Sequence, residues 1–349
     1  MQREAPEVTV STRGRSGGAS RAPSRRTIDR LALSVYHSLA LMAAADLDVF
    51  TPLKDRPRRA EAIAREIGVR PGRLRPLLYT LVNAGLLTLD GEEFANTREA
   101  QRLLVKDSPS YIGAVHEFWS DVWAAAFRTA ESIRKDAPQA PHDYSSMSQS
   151  LLEAFMRGLD TGATSGGREL AERFDFSGIR TVVDVGGGSG GISISLTEKA
   201  PGLKATVVEL PSVAPITKHF VKEAGAEGRV AVAVGNAVDG PIPGTYGAAI
   251  VSNLIQVLSP DDARKVLKNV AAALAPAGRL FVRGRVIDDS RLSPKESVAF
   301  NLVFINVYDH GQAYTESEYR AWMSEAGFLN IERFECPQGR SIMTAQRRV

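Results

Sequence analysis

Hydrophobic positions near the N-terminus recur at helical spacing. Leu31, Val35, Leu39 and Met42, then Leu47, Phe50 and Leu53, lay an apolar face along the chain from Asp29 onward. Residues 61–68 predict a short helix that Gly68 closes. Residues 73–84 predict another, with Leu74, Leu77, Leu78, Leu81 and Val82 turned inward and Gly85 as the stop. The period then drops to two. Residues 86–89 and 93–95, flanking Asp90 and Gly91, predict a hairpin with a tight turn. Helix, turn, helix and wing make a winged-helix unit over residues 28–107. Its first helices are more apolar than one small domain needs, which predicts that the unit dimerises. Residues 108–170 read as connecting helices with clustered aromatics: Tyr111, Phe118, Trp119, Trp123, Phe127, Tyr144 and Phe155.

From residue 171 to 349 strands and helices alternate. Apolar, β-branched runs predict strands near 181–186, 204–209, 229–234, 247–253 and 279–286, with helices between them. That order makes an α/β domain on a doubly wound, mostly parallel sheet. Residues 328–334 and 341–345, joined by Pro337-Gln338-Gly339, add a closing antiparallel hairpin. Ligands in such sheets lie over the carboxyl ends of the strands.

That edge carries the most informative stretch, Thr181-Val182-Val183-Asp184-Val185-Gly186-Gly187-Gly188-Ser189-Gly190-Gly191. A β-branched run ends in glycines, and Ile192, Ile194 and Leu196 follow at helical spacing. Strand, tight turn and helix let the backbone pass close under a ligand and face it with N–H donors. The glycine spacing fits both the nucleoside loop of S-adenosylmethionine (SAM) enzymes and the dinucleotide fingerprint. Glu209, ending the next apolar run, can accept both ribose hydroxyls of either cofactor. Position separates them: the loop begins halfway along the chain, and Asp184 stands two residues before its first glycine.

This Asp-Val-Gly-Gly-Gly-Ser-Gly stretch, with Glu209-Leu210-Pro211, resembles the small-molecule O-methyltransferase family of plant caffeate and bacterial antibiotic-tailoring enzymes. The resemblance runs from about residue 30 to the C-terminus. It implies a Rossmann-like SAM domain over residues 171–349, a homodimer formed through the winged-helix unit, and an acceptor pocket lined from residues 108–170. Gly186 would contact the aminoacid part of SAM, Glu209 the ribose, Leu210 the adenine face and Asn236 the adenine amino group. Asp184, Gly188, Ala237 and Asn253 complete the expected cofactor set, and Phe118, Trp119 and Tyr144 are the expected acceptor contacts.

Composition adds little to this. At 24% charged and 44% hydrophobic residues, the 349-residue chain has the make-up of a globular protein with room for two domains. The net charge of +3 arises in residues 1–26, with six arginines against two glutamates, so the remainder is close to neutral. This predicts no nucleic-acid partner, although Arg70, Arg73 and Arg75 could serve a DNA-binding winged helix. Residues 1–27, rich in Ser, Gly, Pro and Arg, predict a disordered basic tail. A single Cys336 and the lack of any membrane-length apolar run predict a cytoplasmic protein without disulfides or membrane contact.

The departure from the family pattern lies at Ser252-Asn253-Leu254-Ile255-Gln256-Val257-Leu258-Ser259-Pro260. Where the family has a proton-accepting histidine, this chain has Gln256, and an amide cannot act as a general base. Gln256 is therefore expected to orient the acceptor only. A thioether sulfur needs no base, and the chain's later motifs resemble the bacterial branch containing methylthiohydroxybutyrate S-methyltransferase. S-methylation of a thioether hydroxy acid is thus the first expectation, with Arg283 and Arg285 to bind its carboxylate and Tyr308 and Tyr319 to cover a sulfonium. The alternatives are O-methylation of a phenol by a relocated base, His142 or His310, and a SAM-sensing winged-helix regulator without turnover. No metal site is expected.

Overall fold

The computed structural model describes residues 24–108, 110–112 and 115–348, and the side chains of 115–118 lie outside that description. Nearly all of the tail expected at 1–27 falls outside it as well. The N-terminal part begins with α1 (Arg26–Asp46) and continues through β1 (Arg58–Arg59), α2 (Ala60–Glu66), α3 (Pro71–Asn83), β2 (Leu87–Asp90), β3 (Glu93–Asn96) and α4 (Arg98–Leu103). The strands form one antiparallel sheet in the order β1-β3-β2. Ile63, Leu74, Leu78, Leu81, Leu87 and Phe94 close its core, as their spacing predicts. The first turns of α1 behave differently. Ile28, Leu31, Leu33, Val35, Tyr36 and Leu39 all remain exposed, although the helix packs on α3 with its second half.

Next come α5 (Val115–Ala126), α6 (Thr129–Lys135) and the long α7 (Gln149–Arg173). Then β4 (Thr181–Val185), α8 (Gly191–Lys199), β5 (Lys204–Glu209), α9 (Ala214–Glu223), β6 (Val230–Val234), β7 (Tyr246–Ser252), α10 (Pro260–Ala273) and β8 (Leu274–Gly284) alternate. The chain closes with β9 (Val286–Ile287), α11 (Lys295–Val307), β10 (Tyr314–Thr315), α12 (Glu316–Glu325), β11 (Phe328–Glu335) and β12 (Ser341–Arg347). The large sheet runs β11-β12-β8-β7-β4-β5-β6, and β12 is antiparallel to both of its neighbours. Its two faces are covered by separate apolar clusters, one centred on Val183, Val251 and Val282, the other on Val182, Val207 and Ile250. Successive residues of one strand feed opposite clusters, which is why these runs are apolar throughout rather than alternating.

Helix α7 crosses α8 at very short range. A Cβ on Gly167 would lie 2.2 Å from Ser195 Oγ and 2.4 Å from the Ile192 carbonyl oxygen. Two small residues therefore set the distance between the acceptor-side helices and the glycine loop. Among the described residues, no helix is long and apolar enough to cross a membrane.

Candidate active site

The carboxyl ends of β4, β5 and β6 bring the expected cofactor residues together. Gly186 and Gly188 have φ of +65° and +59°, a left-handed backbone that side-chain-bearing residues resist. The Glu209 carboxylate spans the loop: Oε1 accepts from the Gly188 N–H at 2.7 Å and Oε2 from the Leu210 N–H at 2.9 Å. Burial raises its pKa while those two donors pull it back. Each oxygen keeps a second lone pair, as a ribose diol requires. Leu254 covers Gly186, and Met156 of α7 approaches Gly188, so that a Cβ there would lie 3.3 Å from its sulfur. The residues fit a nucleoside cofactor bound over this edge.

Asp184 lies beneath the loop rather than in it. Its Oδ2 accepts from Ser193 Oγ at 2.8 Å, while Oδ1 is buried and lacks a hydrogen-bond partner. Burial pushes this carboxyl up to about 7 against the pull of the Ser193 hydroxyl. Its place is loop support, since a Cβ on Gly187 would meet it at 2.8 Å. Asn236 is exposed, and its amide is spent on a turn: Oδ1 accepts from the Val238 N–H at 3.0 Å and Nδ2 donates to Asp239 at 2.5 Å. Ala237 is buried beside it, and its carbonyl oxygen accepts from Asn269. Asn253 adopts a left-handed φ of +57°, and its N–H donates to the Arg283 carbonyl at 2.7 Å. Asp160 on α7 escaped the sequence reading. It accepts from Ser189, burial raises its pKa, and a Cβ on Gly191 would meet it at 2.6 Å. Only the crossing of α7 over the loop puts that carboxylate beside the cofactor edge.

Gln256 is buried, and its Oε1 accepts from the Arg285 N–H at 2.7 Å. Its Nε2 reaches Asn253 Oδ1 at 3.5 Å. The amide thus ties the loop after β7 to the end of β8, which corrects the expectation of a side chain free to orient the acceptor. The expected carboxylate clamp is also absent. Arg283 lies against Gly166 of α7 and pairs with Glu169 at 3.4 Å. Arg285 donates to the Gln338 carbonyl at 2.7 Å and stacks on Phe300 at 4.2 Å. Arg283, near the end of β8, packs on α7, and Arg285, just past that strand, on α11 and the final hairpin, so both guanidiniums already have partners within the fold. Tyr319 is corrected in the same way. At 1% exposure it packs with Tyr314 and Trp322 in the core, because the apolar face of α12 turns onto the sheet.

Two of the other acceptor candidates meet. Tyr144 and Tyr308 share a hydrogen bond at 3.0 Å, and Tyr144 stacks at 5.8 Å on Phe155, which clusters with Met156 and Leu210. Burial raises the pKa of both phenols, and nearby Glu209 raises that of Tyr144 further, so both stay protonated. Trp119 on α5 meets Phe300 of α11 edge-on at 6.3 Å. Phe118 is on α5, with its side chain outside the described residues. His142 is held between Phe155, at 4.9 Å, and Tyr308, at 6.4 Å, with its Nε2 2.7 Å from Asp121 Oδ2. His310 is exposed.

Comparison with known proteins agrees with this geometry. Residues 121–329 match the model of the O-methyltransferase domain, and residues 30–106 that of the O-methyltransferase dimerisation domain. The chain is 29% identical to 3-hydroxy-5-methyl-1-naphthoate 3-O-methyltransferase of Streptomyces sahachiroi, over 90% of this chain and 92% of that one. It is 30% identical to acetylserotonin O-methyltransferase of Mus musculus molossinus, over 94% and 89%. Human N-acetylserotonin methyltransferase, solved with SAM, shares the fold with a TM-score of 0.82 at 22% identity, covering 95% of this chain and 100% of that one. A glycine loop braced by Glu209, a sheet with one reversed strand and a dimerisation domain ahead of it are thus the parts of one known machine: the chain belongs to the SAM-dependent O-methyltransferase family of small-molecule enzymes.

Proposed function

We propose that this enzyme, acting as a homodimer, transfers the methyl group of SAM to the hydroxyl of a planar, apolar phenolic molecule. The observation that carries the reading is the wall formed by Trp119, Tyr144, Phe155, Phe300 and Tyr308 beside Leu210. Aromatic faces with two neutral hydroxyls suit a flat ring bearing polar substituents. The relatives support it, since the naphthoate enzyme's name gives a hydroxylated bicyclic acceptor. SAM supplies an electrophilic methyl on a sulfonium. The chain's part is to hold the acceptor oxygen in line and keep water away. Winged-helix geometry in the first hundred residues belongs to the same proposal, as the scaffold of the dimer.

S-methylation of a thioether acid remains the second reading, because Gln256 offers no base and a thioether needs none. With Arg283 and Arg285 committed elsewhere, its carboxylate would lack the partners first expected for it. The test is mass spectrometry of products from SAM with hydroxynaphthalenes, N-acyl hydroxyindoles and methylthio acids. Methylated phenols are expected. Turnover confined to the thioethers would overturn the phenolic reading in favour of the second.

A further inference from the structure

Resting on the phenolic reading, we propose that His142 is the general base of this enzyme and that Asp121 positions it, replacing the histidine that the family pattern puts at residue 256. His142 lies in the loop between α6 and α7, and that loop is fixed at several points. The Ala140 and His142 N–H groups donate to the carbonyls of Asn306 and Val307 at 3.1 and 3.0 Å. Buried Asn306 clamps α11 to α6, accepting from Ser132 Oγ and donating to Thr129 Oγ1, each at 2.8 Å. The backbone carrying the imidazole is therefore held as firmly as one on a helix.

The side chain is 8% exposed. Asp121 Oδ2, 2.7 Å away, accepts from Nε2–H and so leaves the lone pair on Nδ1. Nδ1 is buried and has no hydrogen-bond partner among the described residues. Buried imidazole nitrogens are normally satisfied, and an acceptor hydroxyl is a donor of the right kind. The ring is one side chain removed from the cofactor edge: it touches Phe155, which clusters with Leu210 and Met156. The titratable groups around it among the described residues are few. Asp121 faces it from α5 and Tyr308 from the end of α11, and Tyr144 follows on its own loop. Asp143, next in the chain, turns its carboxylate to Ser145. α7 contributes the Phe155 ring. Both tyrosines stay protonated and Gln256 is an amide, so among the described side chains named here His142 is the one able to take a proton.

The step balances simply. The acceptor O–H bond breaks and its proton moves to Nδ1. The oxygen pair forms the bond to the methyl carbon, and the S–CH3 pair stays on sulfur as a neutral thioether. The imidazolium, stabilised by Asp121, then releases a proton to water on the side where Asp121 is 54% exposed.

Single-turnover methylation of 2-naphthol and of a nitronaphthol already ionised at neutral pH tests this. For 2-naphthol, His142→Gln should lower the rate constant about 10²- to 10⁴-fold, the usual worth of a general base. For the ionised nitronaphthol it should change the rate less than about tenfold. SAM affinity by calorimetry should match the parent, showing an intact fold. In Asp121→Asn the 2-naphthol rate should fall while the nitronaphthol rate holds, because the imidazole loses the partner that fixes its tautomer; a 2-naphthol rate equal to the parent's removes Asp121 from the proposal. Equal losses for both naphthols mean packing rather than proton transfer, and full 2-naphthol turnover in His142→Gln overturns the base alone. A parent enzyme that methylates neither naphthol overturns the phenolic reading and the base together. Should His142→Gln fail to fold, the parent's profiles decide. A rate that climbs with pH and levels off before 2-naphthol itself ionises, for 2-naphthol only, supports the proposal, and matching profiles for both acceptors defeat it.

Discussion

One carboxylate, Glu209, braces the glycine loop and keeps a lone pair on each oxygen, which we propose a ribose diol takes up. Glu209→Ala should therefore weaken SAM binding by about 1.5–3 kcal/mol for each charged hydrogen bond lost. Calorimetry is the check, and unchanged affinity would mean that the ribose lies elsewhere. Asp184 makes a different demand. Its folded pKa, about 7, stands above the ordinary carboxyl value. Such a group stabilises the fold fully below its unfolded pKa of about 3.9, and the contribution disappears as pH rises to about 7. The thermal midpoint of the parent, relative to Asp184→Asn, should accordingly fall by several degrees between about pH 4 and pH 7. Parallel midpoints across that range, followed by circular dichroism, would show that Asp184 is not held protonated. The common strand edge of Asp184, Gly186, Gly188 and Glu209 was legible because strand, turn and helix follow one another in sequence. The Asx turn that Asn236 closes on Val238 was not, since the sequence does not tell an adenine contact from such a turn.

Helix contacts of α7 set the site's dimensions. Gly167→Ala would drive a methyl into Ser195 and the backbone of α8, and overpacking of this kind costs about 1–3 kcal/mol or more. Urea denaturation should show that loss, together with weaker SAM binding as the loop shifts. The exposed stripe on α1 has the opposite character. Leu31, Leu33 and Tyr36 face solvent within the residues matched by the dimerisation model. Leu31→Glu with Tyr36→Glu should give a monomer by light scattering, and a dimer that survives both charges would place the interface elsewhere. Helical periodicity revealed the apolar face of α1. It could not reveal that the first turns of that face stay exposed among the described residues, because α3 covers only the helix's second half.

At the scale of the molecule, the acceptor wall draws on α5, the loop after α6, α7 and α11, segments up to about 180 residues apart. Asp121, His142, Phe155 and Tyr308 have no motif linking them, and they meet because α11, following β8 and β9, returns over α5 and α6. The arginines show the same dependence. Arg283 and Arg285 stand two apart at the end of an apolar strand, which suggests one shared face and one shared ligand. In the fold each finds its own partner, Glu169 from α7 or Gln338 from the final hairpin, and so neither is left for an acid substrate.

The sequence by itself determined the order of elements, the parallel sheet with its reversed strand and the SAM loop. All of these follow from periodicity, glycine placement and turn chemistry acting over a few residues. It also determined that residue 256 cannot remove a proton, since an amide has no usable pKa in any fold. Which side chain stands in for it was decided by tertiary structure alone. Burial, an orphaned Nδ1 and a carboxylate at 2.7 Å distinguish His142 from exposed His310, and each arises where separate helices pack.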